Sequence, residues 1–174
     1  MLSDFYVIET MKRYIFLGDI KADRSVSISA EIMALCRSGD VVMGNLEGPI
    51  CCHATPRSDK REPLCSNDSV LTVLNDLNVS IVNIANNHIA DFGELGLQET
   101  VRALDASKVM WFGASGSDGL MQRAVVMHDV KVVFVGFSHR EGPVSEFESG
   151  GFGPTALPDF GELVSWVQRW KVEG

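Results

Sequence analysis

Residues 79–92 have the sequence V-S-I-V-N-I-A-N-N-H-I-A-D-F, in which an apolar, β-branched run passes directly into a cluster of polar side chains. The apolar half predicts a buried β-strand. The polar half places Asn86, Asn87, His88 and Asp91 just beyond the end of that strand. Because open α/β sheets bind ligands at the carboxyl ends of their strands, this segment is a candidate site. The alternative is an Asn-rich turn that caps the strand and starts the next helix, since Asn and Asp bond readily to nearby backbone.

Two earlier segments show the same change from apolar to polar residues. Residues 14–17 predict a strand that leads to Asp19, and residues 40–44 predict a strand that leads to Asn45 and Glu47. Carboxylate, amide oxygen and imidazole suit divalent cations such as Mn, Mg, Fe or Zn. Each residue taken singly is equally well explained as a cap or turn residue. Three strands that all end in such groups are harder to explain by chance, so we expect one shared crevice.

The segments between these strands have helical periodicity. The predicted order is β-α-β-loop-α-β-α-β, which favours parallel pairing with right-handed crossover connections and hence an α/β fold. Helices are predicted over residues 26–37, 68–78 and 93–108, and a fourth strand over 109–112. The stripe expected to be buried on the third helix contains Leu95, Leu97, Val101 and Leu104.

The region after the fourth strand has a different pattern. Residues 124–127 and 131–137 predict a β-hairpin added to the parallel sheet. Asp159 is expected to cap a final helix over residues 160–170, whose apolar side chains need a partner surface. Between the second strand and the second helix, residues 50–67 are polar and contain two prolines, which predicts a long loop or flap beside the strand ends.

Length and composition limit the class of protein. A chain of 174 residues is one domain by length and is large enough to bury a core. The formal net charge of -8 argues against a general nucleic-acid binder, whose affinity comes from Lys and Arg. No apolar run approaches the roughly 20 residues that span a bilayer, and the N-terminus carries acids where a signal peptide is basic. We therefore expect no transmembrane segment and a cytoplasmic location. Residues 11–13 begin with Met, a second possible translation start, and lead directly into the first strand. Residues 1–11 are therefore expected to form a dispensable arm.

The cysteines predict reduced thiols. Cys36, Cys51, Cys52 and Cys65 occur in a chain in which we expect no export signal, so a disulfide framework is not expected. A zinc knot that includes His53 is disfavoured, because adjacent cysteines do not wrap an ion as ligands spaced by two to four residues do.

Three motifs carry a resemblance to a known family. Residues 18–24 (G-D-I-K-A-D-R), 44–50 (G-N-L-E-G-P-I) and 84–104 (I-A-N-N-H-I-A-D-F-G-E-L-G-L-Q-E-T-V-R-A-L) together resemble the CapA/PgsA capsule synthesis family of poly-γ-glutamate biosynthesis. That family is similar in turn to the calcineurin-like metallophosphoesterases. The resemblance implies a layered, metallophosphatase-like sandwich in which residues 12–174 form a domain that is incomplete at its C-terminal end.

The resemblance also implies roles for the candidate residues. Asp19, Glu47 and Asn87 would be metal ligands of a metal-dependent phosphoester hydrolase. His88 would be the catalytic imidazole that protonates a leaving oxygen or stabilises the transition state. Supporting residues that orient the ligands and hold the turn would be Asn45, Asn86 and Asp91.

The sequence departs from the phosphoesterase pattern in two ways. Lys21 stands where phosphoesterases usually have a His, although the CapA relatives show a similar change. The family also continues with H-x-G-x-E-like and G-H-H-P-H-like segments that supply further histidines, and these are not in this sequence. We therefore expect a partner in the form of a missing C-terminal half or a second copy. The alternative function is a non-catalytic remnant or binding module of the same fold.

Overall fold

Parallel strands and crossover helices form the N-terminal part of the molecule, as the alternating pattern predicts. A computed structural model describes residues 12–51, 54–115, 125–127, 132–138 and 153–173. The elements are β1 (Tyr14–Ile20), α1 (Ala30–Arg37), β2 (Val41–Leu46), α2 (Ser69–Asp76), β3 (Ile81–Asn83), α3 (Gly93–Ala106), β4 (Met110–Phe112), β5 (Ala114–Ser115), β6 (Val125–Met127), β7 (Val132–Phe134), β8 (Gly153–Pro154) and α4 (Phe160–Glu173).

The main sheet has the order β1-β2-β3-β4, and all three pairings are parallel. Its register aligns Asp19 with Asn45, Asn45 with Asn83, and Asn83 with Phe112. These four positions therefore form one row across the sheet. A register shift between Phe16 and Asp19 in β1 precedes this row. The parallel α/β class predicted from the sequence is confirmed.

One face of the sheet packs against the helices. Since side chains alternate along a strand, Val42 and Leu46 of β2 share this face, and both are fully buried. They pack in one core with α2 and α3 side chains such as Leu74 and Leu97. Full burial of a residue of this kind contributes about 1.5–3 kcal/mol. This helical layer covers that face of the sheet.

The other face of the sheet is covered by the β6–β7 hairpin. Val125 and Phe134 share a second core with Ile81 and Phe112, and the rings of Phe112 and Phe134 lie 6.1 Å apart. The expectation that the hairpin extends the parallel sheet is wrong, because within the described ranges β6 and β7 pair with each other in a separate two-stranded sheet. Packing on the face buries Val125 and Phe134, which an edge position would leave half exposed. The layers are thus helices, parallel sheet and hairpin.

The predicted first helix is shorter than its periodicity indicates. α1 begins at Ala30, because the hydroxyl of Ser29 accepts a hydrogen bond from the backbone N–H of Ile32 and caps the helix there. Val26 lies outside the helix, and Ile32 and Leu35 are exposed. Of the expected apolar face, Cys36 alone is buried within the helix. The cap formed by Ser29 therefore makes α1 begin later than the apolar periodicity indicates.

The later helices follow the prediction more closely. α2 and α3 lie within their predicted ranges, but Leu95 is exposed and the buried stripe of α3 instead contains Leu97, Thr100 and Leu104. Asp159 accepts a hydrogen bond from the backbone N–H of Glu162 at 2.8 Å, as expected of a cap for α4.

Some expectations fall on residues outside the described ranges. These are the arm over residues 1–11 and two members of the rejected zinc knot, Cys52 and His53. Cys36 and Cys65 are free thiols. Within the described ranges, no helix has the length and apolar character needed to cross a bilayer.

Candidate functional site

The carboxyl ends of β1, β2 and β3 meet at one edge of the sheet, and polar side chains from all three converge there. The amide nitrogen of Asn45 donates to Oδ1 of Asp19 at 2.8 Å and to Oε2 of Glu47 at 2.6 Å. Asp19 is exposed, whereas Glu47 is half-buried. One amide group therefore bridges two carboxylates from neighbouring strands. Two such negative groups repel each other, and a hydrogen-bond donor or a cation between them offsets this repulsion.

Further amides fix the orientation of Asn45. Its Oδ1 accepts from the amide nitrogen of Asn83 at 3.1 Å and from that of Asn86 at 3.3 Å. Asn86 also donates to the carbonyl of Leu46 at 2.8 Å and accepts from the backbone N–H of His88 at 3.1 Å. Asn86 thus ties the end of β2 to the turn after β3. This contact holds that turn beside the two carboxylates.

Asn83 is a member of this network that the sequence reasoning missed. It lies inside the apolar run of β3, next to Asn45 in register, and its Oδ1 accepts from the backbone N–H of Ala85 at 3.1 Å. A polar residue within a predicted buried strand was the available signal, since buried polar groups need partners.

His88 is oriented by a buried carboxylate. Its Nδ1 lies 2.7 Å from Oδ2 of Asp91, and its Nε2 lies 3.9 Å from Oε1 of Glu47. An ionised carboxylate only accepts hydrogen bonds, so this geometry assigns a proton to Nδ1. Nε2 is then left facing Glu47, where it can accept or donate a proton at the site.

Asp91 is the fully buried acid of the cluster. Besides His88, its Oδ2 accepts from the backbone N–H of Leu64 at 3.0 Å, and its Oδ1 lies 2.7 Å from Nζ of Lys60. Lys60 was not among the predicted site residues. It lies in the predicted flap, so the only sequence signal was a basic residue in a loop beside the strand ends.

Asn87 is placed differently from the other predicted residues. Its side chain is exposed, and its contact with the described residues of this region is a backbone one, from its carbonyl to Nζ of Lys60 at 3.2 Å. The structure therefore brings together Asp19, Asn45, Glu47, Asn86, His88 and Asp91, but it does not join the Asn87 amide to the carboxylates by a hydrogen bond.

The flap carries its own ion pair. Arg57 donates to both carboxylate oxygens of Asp59, at 3.0 and 2.7 Å, and this hydrogen bonding holds the pKa of Asp59 below its ordinary value. The backbone N–H of Arg57 donates to the carbonyl of Asp91 at 2.9 Å. This segment of the loop is therefore attached to the His88 turn by main-chain as well as side-chain contacts.

An open cleft of about 440 Å³ lies between the sheet and the hairpin, next to the cluster. Apolar side chains such as Leu17, Met43 and Phe134 line it, and the amides of Asn45 and Asn83 supply a polar part of its wall. Because Asn45 also bonds to both carboxylates, the cleft and the site share this residue.

The donor set is suited to a hard or borderline divalent cation, but it is small. Two carboxylates, an imidazole and several amide oxygens are the groups that Mn, Mg, Fe or Zn prefer. Within the part of the chain that the structure describes, no group of three or more His, Cys, Asp and Glu residues is arranged to hold a metal ion. The described residues thus do not form a complete metal site by themselves.

The fold and the cluster define the class of protein: an α/β molecule with acidic, amide and imidazole groups at the carboxyl ends of parallel strands, consistent with a metallophosphatase-like fold. The model of the family described as bacterial capsule synthesis protein PGA_cap matches residues 13–156. This match covers most of the chain, which therefore belongs to that family.

Two relatives agree with this assignment. The chain is 33% identical over 97 residues to the PGA biosynthesis protein CapA of Bacillus subtilis (strain 168), a match that covers 49% of this chain and 26% of that protein. It is 24% identical over 137 residues to the capsule biosynthesis protein CapA of Bacillus anthracis, covering 70% of this chain and 33% of that protein. The matched parts thus span about a quarter to a third of the relatives.

Proposed function

We propose that this chain supplies the strand-end half of a metal-dependent phosphoester hydrolase site in capsule biosynthesis, with poly-γ-glutamate as the polymer. The observation that carries the proposal is the convergence of Asp19, Glu47 and His88 at one edge of the sheet, with Asn45 bridging the two acids. The family assignment supplies the biological setting, since both relatives are described as CapA proteins of PGA or capsule biosynthesis.

In this proposal Asp19 and Glu47 would hold a divalent cation. When bound, such a cation would supply neutralisation of the charge on a phosphoryl group and activation of water. The amide of Asn45 donates to both acids and would have to turn its oxygen towards a cation or move aside. Asn87 would contribute its exposed amide only after a change of rotamer.

His88 would be the group that moves a proton. Nδ1–H of His88 donates to Asp91, so Nε2 faces the carboxylates and would donate to a leaving oxygen once Nε2 has been protonated. Asn86 fixes the backbone of His88, and Asn45 fixes the acids. These residues would therefore bind and orient, while His88 transfers the proton.

The remaining ligands would come from elsewhere. The described residues give too few strong donors for two tightly held cations, and both relatives are several times longer than the matched segment. A C-terminal half of the domain or a second copy of the chain would supply them.

A second candidate function is a binding module without catalysis. It is favoured because the polar groups of the cluster already bond to one another. Asn45 bridges the two acids, and Asp91 pairs with both His88 and Lys60. A cluster closed in this way can serve to hold the strand ends together.

Equilibrium dialysis with Mn²⁺ and a phosphatase assay with an aryl phosphate distinguish the two candidates. We expect weak Mn²⁺ binding that is lost in Asp19→Asn and in Glu47→Gln. The matched control is Asp23→Asn, which removes an exposed acid that pairs with Lys21. Unchanged Mn²⁺ affinity in both site variants would contradict the proposed metal site. Absence of Mn²⁺ binding and of activity, also when the C-terminal segments are supplied, would favour the binding module.

A further inference from the structure

Lys60 lies in the loop between β2 and α2, and its ammonium group contacts the turn that carries His88. Nζ lies 2.7 Å from Oδ1 of Asp91 and donates to the carbonyl of Asn87 at 3.2 Å. The Lys60 side chain is only 22% exposed, and that of Asp91 is completely buried. This is therefore a largely desolvated ion pair, unlike the exposed pairs elsewhere on the surface.

The two carboxylate oxygens of Asp91 contact different partners. Oδ2 accepts hydrogen bonds from Nδ1–H of His88 and from the backbone N–H of Leu64, whereas Oδ1 faces Lys60. A buried carboxylate that loses its cationic partner is strongly destabilised. Such an acid would rotate towards solvent, take up a proton or draw in water. Each of these changes would weaken the bond that orients His88.

We propose that Lys60 is a positioning residue for His88, acting through Asp91. It holds the turn at two points, the carboxylate of Asp91 and the carbonyl immediately before His88. The catalytic part of this inference rests on the proposed function, but the structural part does not. The flap thus contributes the ammonium group of Lys60, which keeps the imidazole of His88 in one tautomer and one orientation.

NMR of protein labelled with ¹⁵N-histidine tests the inference without any activity assay. In the unmodified chain we expect a slowly exchanging Nδ1–H resonance from His88, which His88→Gln assigns by its disappearance. Lys60→Met should abolish this protected resonance, while Lys60→Arg should retain it. Arg61→Met is the matched control, because Arg61 is an exposed basic residue at the next position of the same loop; it should leave the resonance unchanged.

An unchanged His88 resonance in a folded Lys60→Met variant overturns the proposal. If this variant does not fold, Lys60→Gln keeps a hydrogen-bond donor without the charge: loss of the resonance supports the proposal and its retention overturns it. In a form that hydrolyses a phosphoester, Lys60→Met should lower kcat about 10- to 100-fold with little change in KM. The NMR result decides the role of Lys60 even if no phosphatase activity is found, so the two proposals fail separately.

Discussion

Asp91 and Asp19 show how differently two acids of one cluster depend on their surroundings. Asp91 is fully buried, and its carboxylate is held by His88, Leu64 and Lys60. Asp19 is exposed and bonds to Asn45 at 2.8 Å. A change at Asp91 therefore affects the fold as well as the site, whereas a change at Asp19 leaves water as an alternative partner.

His88→Ala tests the proton-transfer role at the residue scale. In a form of the protein that hydrolyses a phosphoester, we expect turnover to fall by about 10²- to 10⁴-fold, the usual contribution of a general acid. Metal content should fall much less, because His88 Nε2 faces the carboxylates without completing a ligand set. Steady-state kinetics with elemental analysis measure both quantities. An equal loss of metal and activity would instead make His88 a ligand.

Gly48→Ala tests the close approach of the flap to the end of β2. Gly48 has φ +80, and a Cβ there would lie 2.9 Å from the carbonyl oxygen of Leu64. Both effects strain the backbone, so we expect the free energy of unfolding to fall by about 1–3 kcal/mol. Chemical denaturation measures it. Gly18→Ala is the control, because a Cβ at Gly18 meets nothing within 4 Å; an equal effect in both variants would contradict the strain argument.

At the scale of elements, α3 anchors the start of the flap. Thr100 is buried in α3, and its hydroxyl accepts from the backbone N–H of Ile50 at 2.8 Å and donates to the carbonyl of Gly96 at 2.7 Å. The helix therefore holds the chain where it leaves β2. Since Glu47 lies three residues before Ile50, this contact also restrains the acidic part of the site.

Thr100→Val tests this anchor. Valine fills nearly the same space but leaves the buried N–H of Ile50 without its acceptor, which costs about 1–3 kcal/mol. We expect that loss in the free energy of unfolding, together with faster hydrogen exchange of the Ile50 amide. Thr72→Val provides the comparison, because Thr72 is exposed on α2. No difference between the two valine variants would show that the hydroxyl does not anchor the flap.

At the scale of the whole molecule, helices, a parallel sheet and a hairpin form three successive layers. α4 has apolar side chains in solvent: Phe160 is 81% exposed, and Val164 and Val167 are also exposed. Exposed apolar side chains on one helix favour association. The same molecule has few strong metal donors among its described residues.

We therefore expect the isolated 174-residue chain to self-associate and to bind divalent metal weakly. Light scattering coupled to gel filtration measures the first property, and metal titration measures the second. Phe160→Gln together with Val167→Ser should shift the chain towards the monomer, whereas Gln168→Ser, a polar change at an exposed position of α4, should not. A stable monomer that keeps two metal ions through dialysis would contradict the view that this chain holds only part of the site.

Much of the fold was predictable because it depends on local patterns. The apolar runs in the sequence located β2, β3 and β4, and the polar residues after them marked the edge at which Asp19, Glu47 and His88 meet. Buried strands need apolar side chains whatever they pack against, so their signal survives in the sequence alone. The metal-binding and catalytic roles of these residues remain predictions.

Other features were decided only by the tertiary structure. The hairpin packs on a face of the sheet, because burial of Phe134 against Phe112 depends on which surface is free, and no local pattern records that. The sequence alone predicted the order of the strands along the chain and the polar groups that follow them. Tertiary structure decided that Asn83 and Lys60 join the cluster, since strand register and loop docking bring together residues that are far apart along the chain.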